Sequence, residues 1–256
     1  MKKIIISATF VALLASMVGC EKNVEYTATR DLLDSQSALL KINYGSLYPA
    51  NYPVQLSING ERVSGLITNR TPFPGGGYNT SGSNFPDYLA LEPGSKTLTI
   101  AIPKKGTSVD SVVLFTNTFT IAGNKNYTAH VTDTFTKTKL YLDEDNLEIT
   151  AVGTSKYKFV NIMPNVPAVD LYFGTEKVAS NITYLSSSPY FTIANPAVAT
   201  SWFIREAGTS PTSTALATYL SANTYIPRRV YTVFAVGYKG STATATRPYV
   251  SFFLTK

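Results

Sequence analysis

The stretch VQLSINGERV (residues 54–63) decides the fold, because it describes one strand, one turn and the start of a second strand. Apolar side chains recur at every second position from Val54 to Ile58, and Asn59–Gly60 is a typical β-hairpin turn. The stretch VDLYFGTEKV (residues 169–178) aligns with it without gaps. A strand-turn-strand pattern that occurs twice predicts a duplicated β domain.

Further landmarks recur in the same order on both sides of this match. Upstream, KINY matches FVNI through Asn43 and Asn161. Downstream, three more segments match, including the closing strands: 88–91 with 190–193, 126–131 with 230–235, and 139–144 with 250–255. We therefore predict one copy over residues 36–148 and another over 152–256, each an immunoglobulin-like β-sandwich in an all-β chain. A single long barrel fits the repeat less well.

The second copy also carries a recognisable motif set. It consists of Val160-Asn161, Pro164, Pro167, Val169-Asp170, Tyr172, Ser188-Pro189-Tyr190 and Tyr231-Thr232. This set resembles the bacterial domain of unknown function family four-three-nine-seven, whereas the first copy is more divergent. The resemblance implies immunoglobulin-like sandwiches of envelope or secreted proteins, often in tandem and behind lipoboxes, with no established activity.

The N-terminus predicts export and a lipid anchor. Lys2 and Lys3 precede an uncharged apolar run, Ile4–Val18, that is shorter than the roughly 20 residues a transmembrane helix needs. Two positions after this run lies Cys20, the only cysteine, in a sequence that resembles a lipobox. We predict a cleaved signal peptide (1–19), lipidation of Cys20 and a flexible tether (20–35), which would place the protein at the outer membrane of a Gram-negative bacterium. A free cysteine behind an ordinary signal peptide is the alternative.

Catalytic chemistry is scarce in this sequence. The one histidine, His130, lies on the strand face opposite Tyr127 and corresponds to Phe234, so we interpret it as a packing residue. The acidic run that includes Asp143 and Glu148 lacks the spacing of a calcium loop, and we interpret it as a solvated turn between domains. We predict no catalytic residue, metal or cofactor. The dispersed net charge of +6 argues against nucleic-acid binding.

A loop distinguishes the first copy from the second. The separation between Val63 and Tyr88 is 25 positions, against 12 between the corresponding Val178 and Tyr190. Long loops on rigid sandwiches often bind ligands, and aromatic rings among small polar residues suit sugars or peptides. We predict a flexible ligand-binding loop whose rings are those of Phe73, Tyr78, Phe85 and Tyr88, joined by Tyr48 and Tyr52. The alternative is an insertion folded onto the sandwich.

These observations favour a lipid-anchored envelope protein that works as a non-enzymatic binding or structural module. Its membrane contact would be the N-terminal lipid, and its partner a polysaccharide or an envelope protein. Two alternatives stay open: a carbohydrate-binding accessory protein of a glycan uptake system, and an envelope hydrolase, which would need two carboxylates about 5–9 Å apart. A purely scaffolding protein would instead show an exposed sheet edge.

Overall fold

The structure is a computed structural model that describes residues 36–80 and 87–256. The signal peptide, Cys20 and the tether lie outside the described residues, and so does Phe85, so what we expect of them stays a prediction. Within the described ranges the chain is almost entirely β-sheet, and none of its helices has the length and hydrophobicity that a bilayer crossing needs.

The first sandwich packs two sheets on a common core. One sheet has the strand order β10-β9-β1-β4, with β6 also paired to β1, and the other has the order β3-β2-β7-β8. The strands are β1 (Ala38–Tyr44), β2 (Gln55–Ile58), β3 (Glu61–Arg62), β4 (Thr71–Phe73), β6 (Leu89–Leu91), β7 (Gly94–Pro103), β8 (Asp110–Ile121), β9 (Asn126–Thr132) and β10 (Lys139–Asp145), whereas β5 (Gly77–Tyr78) joins a sheet of the second sandwich. Alternate residues such as Leu40, Leu56 and Ile100 are fully buried between the sheets.

The second sandwich repeats this arrangement. Its sheets have the orders β14-β11-β18-β19, with β15 also paired to β11, and β13-β12-β16-β17. The strands are β11 (Thr154–Asn161), β12 (Ala168–Phe173), β13 (Glu176–Thr183), β14 (Ser186–Ser187), β15 (Phe191–Ala194), β16 (Trp202–Glu206), β17 (Ala217–Tyr219), β18 (Val230–Val236) and β19 (Tyr249–Leu254). Tyr157, Trp202 and Phe252 pack against one another in its core.

The two sandwiches correspond strand for strand, so the prediction of an all-β fold of sandwich domains is confirmed. In each, the first long strand pairs in parallel with the penultimate one, β1 with β9 and β11 with β18. The second residue of each penultimate strand is a tyrosine whose hydroxyl accepts a hydrogen bond from a backbone N–H five residues upstream, Ala122 to Tyr127 and Ile226 to Tyr231, both at 3.3 Å. These two tyrosines therefore occupy equivalent positions.

The sequence alignments of the first strands and of the closing strands are each wrong by one residue, because Glu144 corresponds to Leu254 and not to Thr255. Asn43 lies opposite His130, whereas Val160, not Asn161, lies opposite the corresponding Phe234. The shared asparagine misled the alignment, because a one-residue shift in a strand exchanges its two faces. The corrected register makes Lys41 and Lys158 equivalent.

The sandwiches pack back to back through their larger sheets. The contact, which we call the seam, lies between β1, β9 and β10 of the first sandwich and β11, β18 and β19 of the second. There the Thr132 hydroxyl donates to the Ile162 carbonyl at 2.7 Å, and the His130 ring lies 6.0 Å from that of Phe234. Except in β10, both faces of these strands are therefore largely buried, one in a sandwich core and the other in the seam.

An approximate two-fold axis relates the two halves of the seam. Lys41 Nζ donates to the Leu254 carbonyl at 3.1 Å, and its equivalent Lys158 Nζ donates to the Glu144 carbonyl at 2.6 Å. Leu254 and Glu144 are themselves equivalent, since Leu254 lies opposite Tyr231 and Glu144 lies opposite the equivalent Tyr127. The contact thus has the reciprocal form of an isologous dimer interface within one chain.

Candidate binding groove at the seam

Part of the aromatic loop of the first copy forms β-strands instead of an exposed loop. Gly77 and Tyr78 form β5, which pairs with Phe253 and Phe252 at the edge of the second sandwich. Tyr78 is buried in the core of that sandwich, and its hydroxyl accepts a hydrogen bond from Arg229 at 2.9 Å. A Cβ at Gly77 would clash with the side chain of Thr80. Tyr78 was expected as an exposed ring, and the structure instead makes it a core residue.

The other rings that the sequence singled out do not share one exposed surface in the described chain. Phe73 pairs with Ile42 and is half-buried, and Tyr48 is buried with its ring edge-on to Phe135 at 5.0 Å. Tyr88 is half-buried beneath the ammonium of Lys41, 4.3 Å from the ring centroid. Tyr52 is 46% exposed. The ligand-binding role of these residues stays a prediction.

A buried charge cluster occupies one end of the seam. Lys158 Nζ lies 2.6 Å from Asp143 Oδ2 and 3.6 Å from Asp145 Oδ1, and all three side chains are nearly inaccessible to solvent. Glu144, between the two aspartates, points to the surface and pairs with Lys125 at 2.6 Å. The interpretation of this acidic run as solvated is therefore wrong for Asp143 and Asp145, because the two-residue period of β10 turns both into the seam.

The pKa values of the cluster follow from this burial. Burial raises the pKa of Asp145, although Lys158 opposes the shift. Burial alone would lower the pKa of Lys158, yet Asp145 and Asp143 raise it above its ordinary value. Burial lowers the pKa of Lys41 to about 8, with Asp145 opposing. The positive charges of Lys41 and Lys158 thus offset the negative charges of Asp143 and Asp145.

His130 sits in the seam as a neutral side chain. Burial, and then the charge of Lys158, lower its pKa to about 3. Its Nδ1 accepts a hydrogen bond from the Asn43 amide at 2.9 Å, and aromatic rings surround it. The interpretation of His130 as a packing residue agrees with this position. No group of three or more His, Cys, Asp or Glu side chains in the described chain is arranged to hold a metal ion.

A groove of about 370 Å³ opens where the charge cluster reaches the surface. It is lined by Asn124, Lys125, Asn126, Glu144, Asp145, Asn146, Leu147, Glu148 and Tyr190. A shallower depression of about 730 Å³ shares three of these residues and adds Ile149 and Lys256. Because the first sandwich, the linker and the Tyr190 turn of the second all contribute, the groove exists only where both copies meet.

Hydrogen bonds organise the wall of this groove. The backbone N–H of Asn146 donates to the Tyr190 hydroxyl at 2.8 Å, and the Asn146 Oδ1 accepts from Lys156 at 3.0 Å. The Glu148 side chain is 84% exposed at the mouth. Amides and carboxylates in this arrangement offer both donors and acceptors, which suits a ligand that carries hydroxyl groups. The acidic run indicated this region in the sequence. It did not indicate the groove, because the groove also requires residues of the second sandwich.

A family model for a domain of unknown function, DUF4397, matches residues 41–172 and 155–250. The chain belongs to the DUF4397 family. The two matches agree with the two sandwiches, and this is the family that the motifs of the second copy indicated. No curated protein matches the chain. A solved structure described as "Alpha-glucan binding by a streptococcal virulence factor" is 12% identical over 77% of this chain and 92% of its own, with a TM-score of 0.22, and we draw no conclusion from it.

Proposed function

We propose that this DUF4397 protein is a lipid-anchored envelope protein whose two sandwiches form a non-enzymatic binding module, and that the groove at the seam binds a polysaccharide. The observation that carries the proposal is the groove itself. Its volume, about 370 Å³ with a further depression beside it, falls in the range of small-ligand sites.

The chemistry of the lining favours a hydroxylated, largely uncharged ligand. Each sugar hydroxyl both donates and accepts, and the lining offers the amides of Asn124 and Asn126 together with the carboxylate of Glu148. The ion pair between Lys125 and Glu144 at the rim cancels local charge. A polyanion would meet the carboxylates and is therefore disfavoured.

The same contacts argue for binding rather than catalysis. Asp143 and Asp145 are engaged by Lys158, Glu144 is held by Lys125, and Glu148 lies 3.9 Å from Lys156 Nζ, so all four of these acids near the groove have cationic partners. His130 is fully buried and cannot exchange protons with a bound ligand. Release of reducing ends from a bound glycan would contradict this part of the proposal and support a hydrolase.

The binding test is a glycan array with the full chain in detergent, followed by calorimetry on the best glycan. Asn126→Ala and Glu148→Ala are each expected to weaken binding about threefold to tenfold, the value of one lost hydrogen bond. Tyr52→Ala is the matched control, because it removes the exposed ring of the loop set. Loss of binding in Tyr52→Ala alone would move the site to the loop, and no binding to any glycan would overturn the proposal.

The anchor is tested separately. Labelled palmitate is expected to enter the wild-type chain and not the Cys20→Ser variant, and only the wild type is expected in the membrane fraction. Equal labelling of the two chains, or none in either, would contradict the anchor without affecting the groove.

A further inference from the structure

The outer edges of the sheets differ in how they are protected against pairing with another strand. An unpaired edge strand is a template for strand addition, and proteins usually block it with charges, shortness, irregularity or a cover. β3 has two residues, both charged, and β17 has three residues. β13 begins with Glu176 and Lys177 and shows register shifts, whereas β19 is covered by β5. These edges of the described chain are protected.

Among the residues that the structure describes, nothing protects the outer edge of β8 in this way. The strand spans the twelve residues Asp110–Ile121, pairs on one side with β7, and ends its sheet on the other. No charged residue occurs from Ser111 to Ile121. After an irregularity at Leu114, the pairing with β7 is regular from Phe115 to Ile121, which leaves a straight segment of about 24 Å. Thr116, Thr118 and Thr120 are exposed along it.

We propose that this edge pairs with the β8 strand of a second copy of the chain. The two strands would run antiparallel over Phe115–Ile121, with the two-fold axis at Thr118. In that register residue 118 faces its own copy, 116 faces 120, and 117 faces 119. A charge at residue 118 would therefore meet its own copy directly, and the segment carries no charge.

A second copy also fits the backbone and the side chains. Antiparallel pairing satisfies the outward N–H and C=O groups of both strands, and it joins two four-stranded sheets into one of eight. Threonines opposite one another are favourable cross-strand pairs. The contact is isologous and uses β8 once in each copy, so the assembly closes at two chains.

The test is sedimentation of the full chain in detergent over a range of concentrations. The wild type is expected to be a dimer. Thr118→Lys places two ammonium groups at the axis and is expected to raise the dissociation constant at least tenfold. The matched control is Thr97→Lys, because Thr97 lies directly opposite Thr118 on β7, on the same face, with the two hydroxyl oxygens 3.1 Å apart. This control is expected to stay dimeric, and thermal melting checks that both variants fold.

Cysteine cross-linking gives an independent measurement. At the axis, Cα atoms of paired strands are about 4.5–5.5 Å apart, within reach of a disulfide, so Thr118→Cys is expected to give a covalent dimer on oxidation. The Thr97→Cys pair would be about 14 Å apart and is expected to give none. The proposal would be overturned by a monomeric wild type, by an assembly of more than two chains, or by equal cross-linking of both variants. This holds also if β8 then pairs with a strand of another protein.

Discussion

The two sandwiches share one strand order but bring opposite chemistry to the seam. Three pairs of equivalent positions carry the difference: His130 and Phe234, Asp143 and Phe253, and Asn43 and Val160. The first sandwich presents polar and acidic groups, and the second presents mostly apolar ones. Two copies of the first face would bury their aspartates with more acids and too few cations, which is costly. Each of the two seam faces therefore selects the other as its partner and disfavours a second copy of itself.

Removal of the central cation is expected to have the largest effect on this arrangement. Lys158→Met leaves Asp143 and Asp145 buried without their nearest positive charge, which should lower the free energy of unfolding by about 3–5 kcal/mol. Urea denaturation at pH 7 measures it. Lys125→Met, which breaks the exposed ion pair with Glu144, is the control and should cost no more than about 1 kcal/mol. Equal losses in the two variants would show that the buried cluster is not a stability determinant.

Removal of the Tyr78 ring from the second core is expected to have the second-largest effect on stability. Tyr78→Ala removes a buried ring from the second core although the residue belongs to the first half of the chain, and it should cost about 3 kcal/mol. Hydrogen exchange is expected to speed up in β19, which β5 covers, more than in β10 of the first sandwich. Tyr52→Ala, at an exposed ring, should change stability by less than about 0.5 kcal/mol. An unchanged β19 would contradict the role of β5 as its cover.

The smallest expected effect comes from making the first face resemble the second. Asn43→Val together with His130→Phe installs the residues found at Val160 and Phe234. Because the pKa of His130 is lowered to about 3, the unfolded chain takes up a proton that the folded chain does not, and stability falls as the pH drops below the ordinary value near 6.5. Between pH 7 and pH 5 the wild type should lose about 2 kcal/mol more than the double variant. Parallel pH profiles would mean that His130 is not the group responsible.

Strand periodicity made the fold accessible from sequence. The alternation in 54–63 and its match in 169–178 predicted two sandwiches, and the match between His130 and Phe234 predicted a packing position. The same alternation could have placed Asp143 and Asp145 on the face of β10 that does not carry Leu142. Since Leu142 packs on the first core, that other face lies in the seam. The destination of β5 could not be predicted, because Gly77–Tyr78 pairs with a strand some 175 positions away and nothing local specifies that partner.

Because β5 of the first half covers β19 of the second, we expect that the two sandwiches must be expressed and inherited together. A gene fragment that encodes residues 152–256 alone would yield a sandwich with a vacant place where the phenol of Tyr78 belongs and a bare β19 beside it. Exchange of single domains by recombination would separate each from a part it needs. Selection should therefore keep the tandem intact, and sequence comparisons should treat the pair, not the single repeat, as the evolving module.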